Sequence, residues 1–209
     1  MLPTPRYRVT DPQFVRGLLV AHPFVTIVSP TGQGLVASHY PVILEPANDP
    51  DEIELRDHLG RPDDDLHEFG QHEILLIVQG PHGYVSPSWY EPGDLVATWD
   101  DVVAHLWGVP EVLSFEDNYE TLRAMTEFFE QHLPEGRSLD DDPEKTRRAA
   151  KGTVGFRLRV TRFQARAKLS QNKTEPVRER IVTELAGDGP YAQPDLAGLV
   201  ACPHPQTAP

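Results

Sequence analysis

Four histidines lie in or at the ends of segments predicted to be strands, and they are the side chains best suited to chemistry: His39, His58, His82 and His105. A single histidine of this kind is usually half-buried and hydrogen-bonded, with a structural role. Four of them on a small barrel can instead converge on one pocket, and imidazole is a ligand of haem iron. The set predicts either a shared pocket or separate structural histidines.

The segment from Gly80 to Tyr90 combines His82 with prolines, serines and aromatic residues. It follows the apolar run 74–78, whose pattern predicts a buried strand. A strand that leads into a Gly-Pro turn and a polar, aromatic loop is a common wall of a binding pocket. The alternative is a β-turn whose Tyr and Trp cover the edge of the core.

Residues 168–173 place two lysines together with Ser170 and Gln171 in an otherwise acidic chain. This composition suits an anionic ligand such as a phosphate or a carboxylate. The alternative is an exposed polar turn. Lys168, Ser170 and Gln171 are therefore candidate ligand-binding residues.

Asp100 and Asp101 form a candidate pair for general acid–base chemistry. Adjacent residues on a strand face opposite sides, which argues against a joint role. The sequence favours a solvated turn at Trp99–Asp101, between strands predicted at 95–98 and 102–107.

Composition and missing motifs exclude several classes. The chain has 209 residues, a net charge of −13 and one cysteine. An acidic chain lacks the basic face of a general nucleic-acid binder. No zinc-ligand spacing, Gly-x-Ser-x-Gly elbow, P-loop or dinucleotide fingerprint is present. No apolar run of about 18 residues predicts a membrane span, and the N-terminus lacks an apolar signal core, so the cytoplasm is the expected location.

Short strands at regular spacing predict a mostly β fold with peripheral helices. We expect one domain over residues 1–186. The Pro-, Gly- and Ala-rich segment 187–209 is predicted to be a disordered tail. The predicted strands are 24–28, 35–44, 52–59, 74–79, 95–98, 102–107, 153–159 and 163–169, and the predicted helices are 12–22, 119–132, 144–150 and 178–185.

Several of these segments occur in the order seen in PaiB-type proteins, namely 37–41, 79–90, 98–99, 152–156 and 168–172. Over residues 3–185 the chain resembles this family, which is described as FMN-binding split-barrel proteins and negative transcriptional regulators. The resemblance implies a split β-barrel homodimer with the cofactor between the subunits.

The chain departs from the family at two places. Relatives usually continue the third strand with Gly-His-x-Ala-x-x-Asn-Pro-Gln-Trp, whereas this chain has Asp57-His58 and then Asp63-Asp64-Asp65. In related split barrels this region helps to hold the flavin phosphate, and carboxylates repel a dianion. After Thr98-Trp99, Asp100-Asp101 replaces the usual Asn-Tyr.

These departures favour a similarity to the haem-dependent branch, the piperazate synthases, which close an N–N bond in N5-hydroxy-ornithine with loss of water. The resemblance then implies haem b, a small-molecule substrate, His58 as the iron ligand and Asp100 as the base that takes the amine proton. Further cofactor-binding candidates are His39, Arg61, His82, Lys168, Ser170 and Gln171. The alternatives are an FMN-binding PaiB-type regulator and a cofactor-free structural relative.

Overall fold

The computed structural model describes residues 4–46 and 49–202. The chain forms two compact units, and several elements run from one into the other. The terminal unit comprises residues 4–14, 79–104 and 164–202; the central unit comprises 15–46, 49–78 and 105–163. The strands are β1 Arg8–Val9, β2 Phe24–Thr31, β3 Gly34–Pro41, β4 Ile43–Leu44, β5 Glu54–Gly60, β6 Ile74–Val85, β7 Thr98–Gly108, β8 Glu111–Val112, β9 Thr153–Arg159 and β10 Arg162–Lys168. The helices are α1 Pro12–Ala21, α2 Asp63–Leu66, α3 Phe115–Glu130, α4 Pro143–Ala150, α5 Glu175–Ala186 and α6 Pro194–Ala201.

The central unit contains two antiparallel sheets. The hairpin β2–β3 pairs through β2 with the first half of β6, and β5 lies between β4 and β9 in the second sheet, whose order is β4-β5-β9-β8. The alternation of apolar residues along β2 and β5 places one face of each strand in the core. Fully buried side chains include Ile27, Leu55, Leu59, Leu76, Leu106, Phe156 and Leu158.

Helix α3 packs closely against the second sheet of the central unit. Ser114 caps the helix by accepting a hydrogen bond from the Asp117 N–H at 3.2 Å, as expected for serine at this position. One turn later Asn118 lies over Gly155 of β9, where an added Cβ would be 2.8 Å from the Asn118 Oδ1 atom. Glycine at position 155 is therefore what permits the close approach of helix to strand.

The terminal unit contains the strand order β1-β10-β7-β6 and the two C-terminal helices. Helix α6 packs on α5 and buries Leu196 and Val200 completely. The prediction of a disordered tail from residue 187 is therefore wrong for residues 194–201; residues 203–209 lie outside the described part. The Pro-, Gly- and Ala-rich composition of this segment suggested disorder, although two signals of a helix were present. Leu196 and Val200 are an apolar pair at i and i+4, and Pro194 is at the first helical position.

Strand β7 is continuous through Trp99, Asp100 and Asp101, so the predicted solvated turn at these residues is wrong. Strand alternation does place the two aspartates on opposite faces, as expected, and Asp100 is fully buried. A buried carboxylate is tolerated inside the strand because Ser170 donates a hydrogen bond to it. In the described residues, no helix has the length and apolar character needed to cross a membrane.

Candidate functional site

An exposed group of aromatic rings occupies one face of the terminal unit, and we call it the aromatic shelf: His82 and Tyr84 of β6, Trp99 of β7, and Tyr191. Trp99 Nε1 donates a hydrogen bond to His82 Nδ1 at 3.1 Å, and the two rings lie 27° from parallel. The rings of Tyr84 and Tyr191 are 4.8 Å apart. Trp99 remains 52% exposed, so the shelf offers its indole ring to solvent, although the Tyr84 ring is tilted by 60° from Trp99 and by 53° from Tyr191.

A glycine positions the far end of the shelf. Gly83 separates His82 from Tyr84, and a Cβ added at Gly83 would meet Gln193 and Leu196 at 3.1 Å. The absence of a side chain thus lets the start of α6 lie against β6. Tyr191 lies three positions before the first residue of α6, Pro194, and its ring contacts that of Tyr84.

Lys168, Asp100 and Ser170, three of the sequence-based candidates, come together where β10 runs alongside β7. Lys168 Nζ donates to the carbonyl oxygen of Trp99 at 2.7 Å and to the Thr98 hydroxyl. Ser170 Oγ donates to Asp100 Oδ2 at 2.6 Å, and Asp100 Oδ1 lies 3.9 Å from Lys168 Nζ. Burial raises the pKa of Asp100 to about 6, although Ser170 and Lys168 both act to lower it.

The side chain of Gln171 forms two hydrogen bonds with the backbone of the same turn. Its Oε1 accepts from the Leu169 N–H and its Nε2 donates to the Ala167 carbonyl, each at 2.7 Å. The side chain thereby holds the turn in which Ser170 adopts a positive φ of 55°. Both polar ends of Gln171 are engaged, so any ligand contact would require it to leave the backbone.

The other cations around the shelf are paired with carboxylates. Arg166 binds Asp101 through two nitrogens, at 2.6–2.9 Å. Lys173 pairs with Asp94 at 2.5 Å and lies 3.6 Å from the centre of the Tyr90 ring, and Arg180 pairs with Glu91. Among these four cations, Lys168 has the weakest ionic partner.

The remaining candidates, His39, His58 and Arg61, belong to the central unit, and no hydrogen bond joins them in the described residues. His39 is exposed and lies beside Phe24 on the hairpin. Arg61 pairs with Asp64 at 2.9 Å. His58 Nδ1 is buried without a hydrogen-bond partner in the described residues, and burial lowers the pKa of this imidazole.

The acidic run 63–65 is largely engaged within the chain. Asp63 Oδ2 accepts hydrogen bonds from Ser38 at 3.0 Å and Tyr40 at 2.7 Å, and Asp64 pairs with Arg61. The expected clash between these carboxylates and a phosphate therefore applies mainly to Asp65, which is exposed. Internal donors account for two of the three acidic residues.

Sequence reasoning missed His67, the centre of the same network. Its Nδ1 lies 2.7 Å from Ser29 Oγ and its Nε2 lies 3.0 Å from Ser38 Oγ. Because the Ser38 hydroxyl donates to Asp63, His67 Nε2 must donate to Ser38 and Nδ1 must accept from Ser29. Serines in apolar strands were the available signal, but their partner is 29 or more positions away.

Asp57 was also missed as a buried acid. Its Oδ1 accepts from the His58 backbone N–H at 2.6 Å, whereas Oδ2 has no hydrogen-bond partner in the described residues. Burial raises the pKa of Asp57 well above its ordinary value. Alternation with Leu55 and Leu59 was the signal that could have revealed it.

The antiparallel sheets with peripheral helices define a split β-barrel of the kind found in flavin-binding proteins, as predicted. The fold is similar to that of a FAD and haem binding protein from Mycobacterium smegmatis, with a TM-score of 0.58 and 16% identity over 89% of this chain and 82% of that chain. It is also similar to the flavocytochrome Anf3 from Azotobacter vinelandii, with a TM-score of 0.56 and 12% identity over 78% and 69%. At these identities the likeness concerns the fold alone.

Sequence comparison gives the family. A family model described as "Putative FMN-binding domain" matches residues 1–162. The chain is 30% identical to the Protease synthase and sporulation protein PAI 2 of Bacillus subtilis (strain 168) over 187 residues, which are 88% of this chain and 89% of that protein. The chain therefore belongs to the PaiB-type FMN-binding family, which confirms the predicted membership.

Proposed function

We propose that this protein binds FMN, with the isoalloxazine ring against the aromatic shelf. The observation that carries the proposal is the exposed indole surface of Trp99 together with the Lys168 amino group, which lies 2.7 Å from the Trp99 carbonyl oxygen. Planar rings gain stacking energy on such a surface. Membership of an FMN-binding family supports FMN as the ligand.

The residues present fit the anionic end of the ligand through Lys168. A phosphate needs cations and N–H donors. Arg166, Lys173 and Arg180 already pair with carboxylates, whereas the nearest carboxylate oxygen to Lys168 is 3.9 Å away and belongs to Asp100, whose pKa burial raises to about 6. Lys168 is therefore the cation of this set whose charge is least neutralised by a carboxylate.

Bound FMN supplies hydride and electron transfer. In this proposal the chain orients the ring through Trp99 and Tyr84 and attracts the anion through Lys168. Asp100 acts through Lys168, so it is a positioning residue. When Asp100 loses its proton, with a pKa of about 6, it competes for the charge of Lys168 and weakens the attraction of Lys168 for an anion.

Titration of the purified protein with FMN tests the main claim, with flavin fluorescence as the signal. Trp99→Ala should weaken binding about tenfold because it removes the stacking surface. Ser88→Ala, an exposed change in the same unit, should leave it unchanged. Absence of FMN binding to the unaltered protein, or equal loss in both variants, would contradict the assignment.

The role of Asp100 has its own readout in the pH dependence of FMN affinity. Asp100→Asn should bind FMN more tightly than the unaltered protein above about pH 6, and the two should converge below it, where Asp100 is protonated. Comparison in the same buffers cancels the ionisation of the FMN phosphate. If the ratio of the FMN affinities of Asp100→Asn and the unaltered protein stays constant from below to above about pH 6, ionisation of Asp100 does not affect FMN binding.

We propose further that two copies associate through the outward face of the β2–β3 hairpin. Phe24 is 65% exposed and Leu35 is 80% exposed, and β3 is the last strand of its sheet. An uncharged edge strand with exposed apolar side chains is a pairing surface. Leu35→Glu should convert a dimer into a monomer by light scattering, whereas Gln33→Glu in the turn should not. A protein that is monomeric without either change would refute the proposal.

The net charge of −13 gives no support for direct binding to nucleic acid.

The second candidate is a haem-dependent enzyme of the piperazate-synthase type with His58 as iron ligand. The observation that favours it is the desolvated imidazole of His58, whose pKa is lowered and whose Nδ1 has no partner in the described residues. A neutral imidazole is the form that ligates iron. Against it, Nδ1 is buried 3.5 Å from the Asp57 carboxylate. A Soret band after haemin addition that His58→Ala removes would support this candidate; an unchanged spectrum in His58→Ala would refute His58 as the ligand.

A further inference from the structure

Three oxidisable rings of the terminal unit lie next to one another, and we call them the aromatic row: Trp99, Tyr84 and Tyr191. The centroids of the Trp99 and Tyr84 rings are 6.4 Å apart, and those of the Tyr84 and Tyr191 rings are 4.8 Å apart. Aromatic side chains in contact have centroids about 4.5–7 Å apart. The tilts between the rings weaken stacking, but transfer of an electron between neighbouring rings does not require them to be parallel.

The first ring of the row, Trp99, has a base beside its N–H group. An indole that has lost one electron is a much stronger acid, so its N–H proton moves to a neighbouring base. Trp99 Nε1 donates to His82 Nδ1 at 3.1 Å, and the imidazole can take up that proton. When an electron returns to the indole, the proton returns along the same hydrogen bond. Loss and recovery of the electron therefore leave Trp99 chemically unchanged.

The last ring of the row, Tyr191, is in contact with solvent. Oxidation of a tyrosine releases the phenolic proton, so the hydroxyl group needs an acceptor for it. Tyr191 is 47% exposed, so water can accept the proton and a dissolved reductant can reach the side chain. Tyr90 differs, because its hydroxyl oxygen is buried and has no hydrogen-bond partner in the described residues. A radical is thus more easily formed and discharged at Tyr191 than at Tyr90.

Cations distinguish other aromatic rings from those of the aromatic row. Arg162 lies 4.0 Å from the centre of the Trp107 ring, and the Lys173 amino group lies 3.6 Å from the centre of the Tyr90 ring. A positive charge at such a distance opposes the loss of an electron from the ring. Within residues 4–46 and 49–202, no Lys or Arg side chain lies over a ring of the aromatic row. The row is therefore easier to oxidise than Trp107 or Tyr90.

We propose that the aromatic row carries an oxidising equivalent from Trp99 to solvent at Tyr191. A one-electron oxidant at the shelf, such as a photoexcited flavin, gains an electron from Trp99, whose proton moves to His82. Tyr84 then supplies an electron to Trp99, which recovers its proton, and Tyr84 releases its own phenolic proton to water. Tyr191 next supplies an electron to Tyr84, which regains a proton from water.

The net change is the loss of one electron to the oxidant and one proton to water, both from Tyr191. A dissolved reductant such as ascorbate restores the phenol by donating a hydrogen atom. Only the choice of a flavin as the oxidant rests on the proposed function, because the contacts within the aromatic row belong to the chain itself.

Pulse radiolysis of the full chain without flavin tests the row directly. Azide radicals oxidise tryptophan in preference to tyrosine, and transient absorption then follows electron transfer within the chain. A tryptophan radical should decay as a tyrosyl radical appears, at a rate independent of protein concentration. Trp99→Phe should remove this phase, whereas Trp107→Phe, whose ring has no tyrosine contact in the described residues, should retain it. Survival of the phase in Trp99→Phe, or its absence from the unaltered protein, would overturn the proposal.

Two tyrosine variants locate the middle and the end of the row. Tyr84→Phe keeps the ring but cannot form a tyrosyl radical, so the phase should be lost, whereas Tyr7→Phe in the same unit should leave it unchanged. In Tyr191→Phe the radical should form at Tyr84 and react more slowly with ascorbate, because Tyr84 is half-buried. An unchanged reaction with ascorbate would refute Tyr191 as the exit. FMN binding is measured separately in each variant, so failure of the FMN assignment leaves this test intact.

Discussion

In the part of the chain that the structure describes, each unit contains one fully buried aspartate on a strand, and the two have different surroundings. Asp100 in the terminal unit accepts from the Ser170 hydroxyl at 2.6 Å and lies 3.9 Å from Lys168. Asp57 in the central unit accepts only from its neighbour's backbone N–H. Burial raises the pKa of both carboxyls, but only Asp100 has side-chain groups that lower it again. Two aspartates that are equally buried on similar strands thus differ in pKa because their hydrogen-bond and charged partners differ.

The difference has a defined consequence for stability. Both carboxyls have an ordinary pKa of 3.8, and both values are higher in the folded chain. Between the two values the folded chain holds a proton that the unfolded chain has lost, so the free energy of unfolding falls as the pH rises. The pH range in which the free energy of unfolding falls begins near pH 3.8 for both residues and ends near pH 6 for Asp100.

The largest effect is expected for Asp57→Asn. Asparagine cannot ionise, so the variant should lose a slope of up to about 1.4 kcal/mol per pH unit in the free energy of unfolding. Urea unfolding between about pH 4 and about pH 8 measures it. Asp51→Asn, an exposed change in the same unit, is the control. Parallel curves for Asp57→Asn and the unaltered protein would show that Asp57 is ionised throughout.

Ser170→Ala should make Asp100 resemble Asp57. Loss of the hydroxyl removes the largest influence that lowers the pKa of Asp100, which should rise above about 6. The free energy of unfolding at neutral pH should fall by about 1–2 kcal/mol, because a buried carboxylate loses its donor. Carbon-13 NMR titration of the aspartate carboxyls measures the pKa, with Ser88→Ala as control. An unchanged pKa would mean that Ser170 does not hold the carboxylate.

Lys168→Met should change the pKa of Asp100 in the same direction but by less. Its amino group is 3.9 Å from the carboxylate and acts by charge alone, whereas Ser170 donates a hydrogen bond. The same NMR titration compares the two variants, with Lys145→Met as the control for a lost surface charge. A larger shift for Lys168→Met than for Ser170→Ala would reverse this order of contributions.

Local patterns predicted most of the strands and the main helices. Alternation along β2 and β5 gave both strands, because a half-buried strand imposes a period of two on its residues. The same rule placed Asp100 and Asp101 on opposite faces. Composition misled at α6, where Leu196 and Val200 form a short apolar stripe inside a Pro- and Gly-rich segment.

The side-chain networks were harder to predict because their members are distant in sequence. Ser38 and Asp63 are 25 positions apart, and Ser170 and Asp100 are 70 apart. A carboxylate in a sequence carries no indication of whether a hydroxyl will reach it after folding. The acidic run 63–65 therefore suggested repulsion of a ligand, whereas most of it binds the chain's own hydroxyl and guanidinium groups.

The close contact between Gly155 and Asn118 couples small movements of helix α3 to those of strand β9. With only a hydrogen atom between the strand and the helix, α3 cannot slide without breaking the Asn118–Thr153 hydrogen bond at the start of β9. Amide exchange in β9 should therefore report the opening of α3.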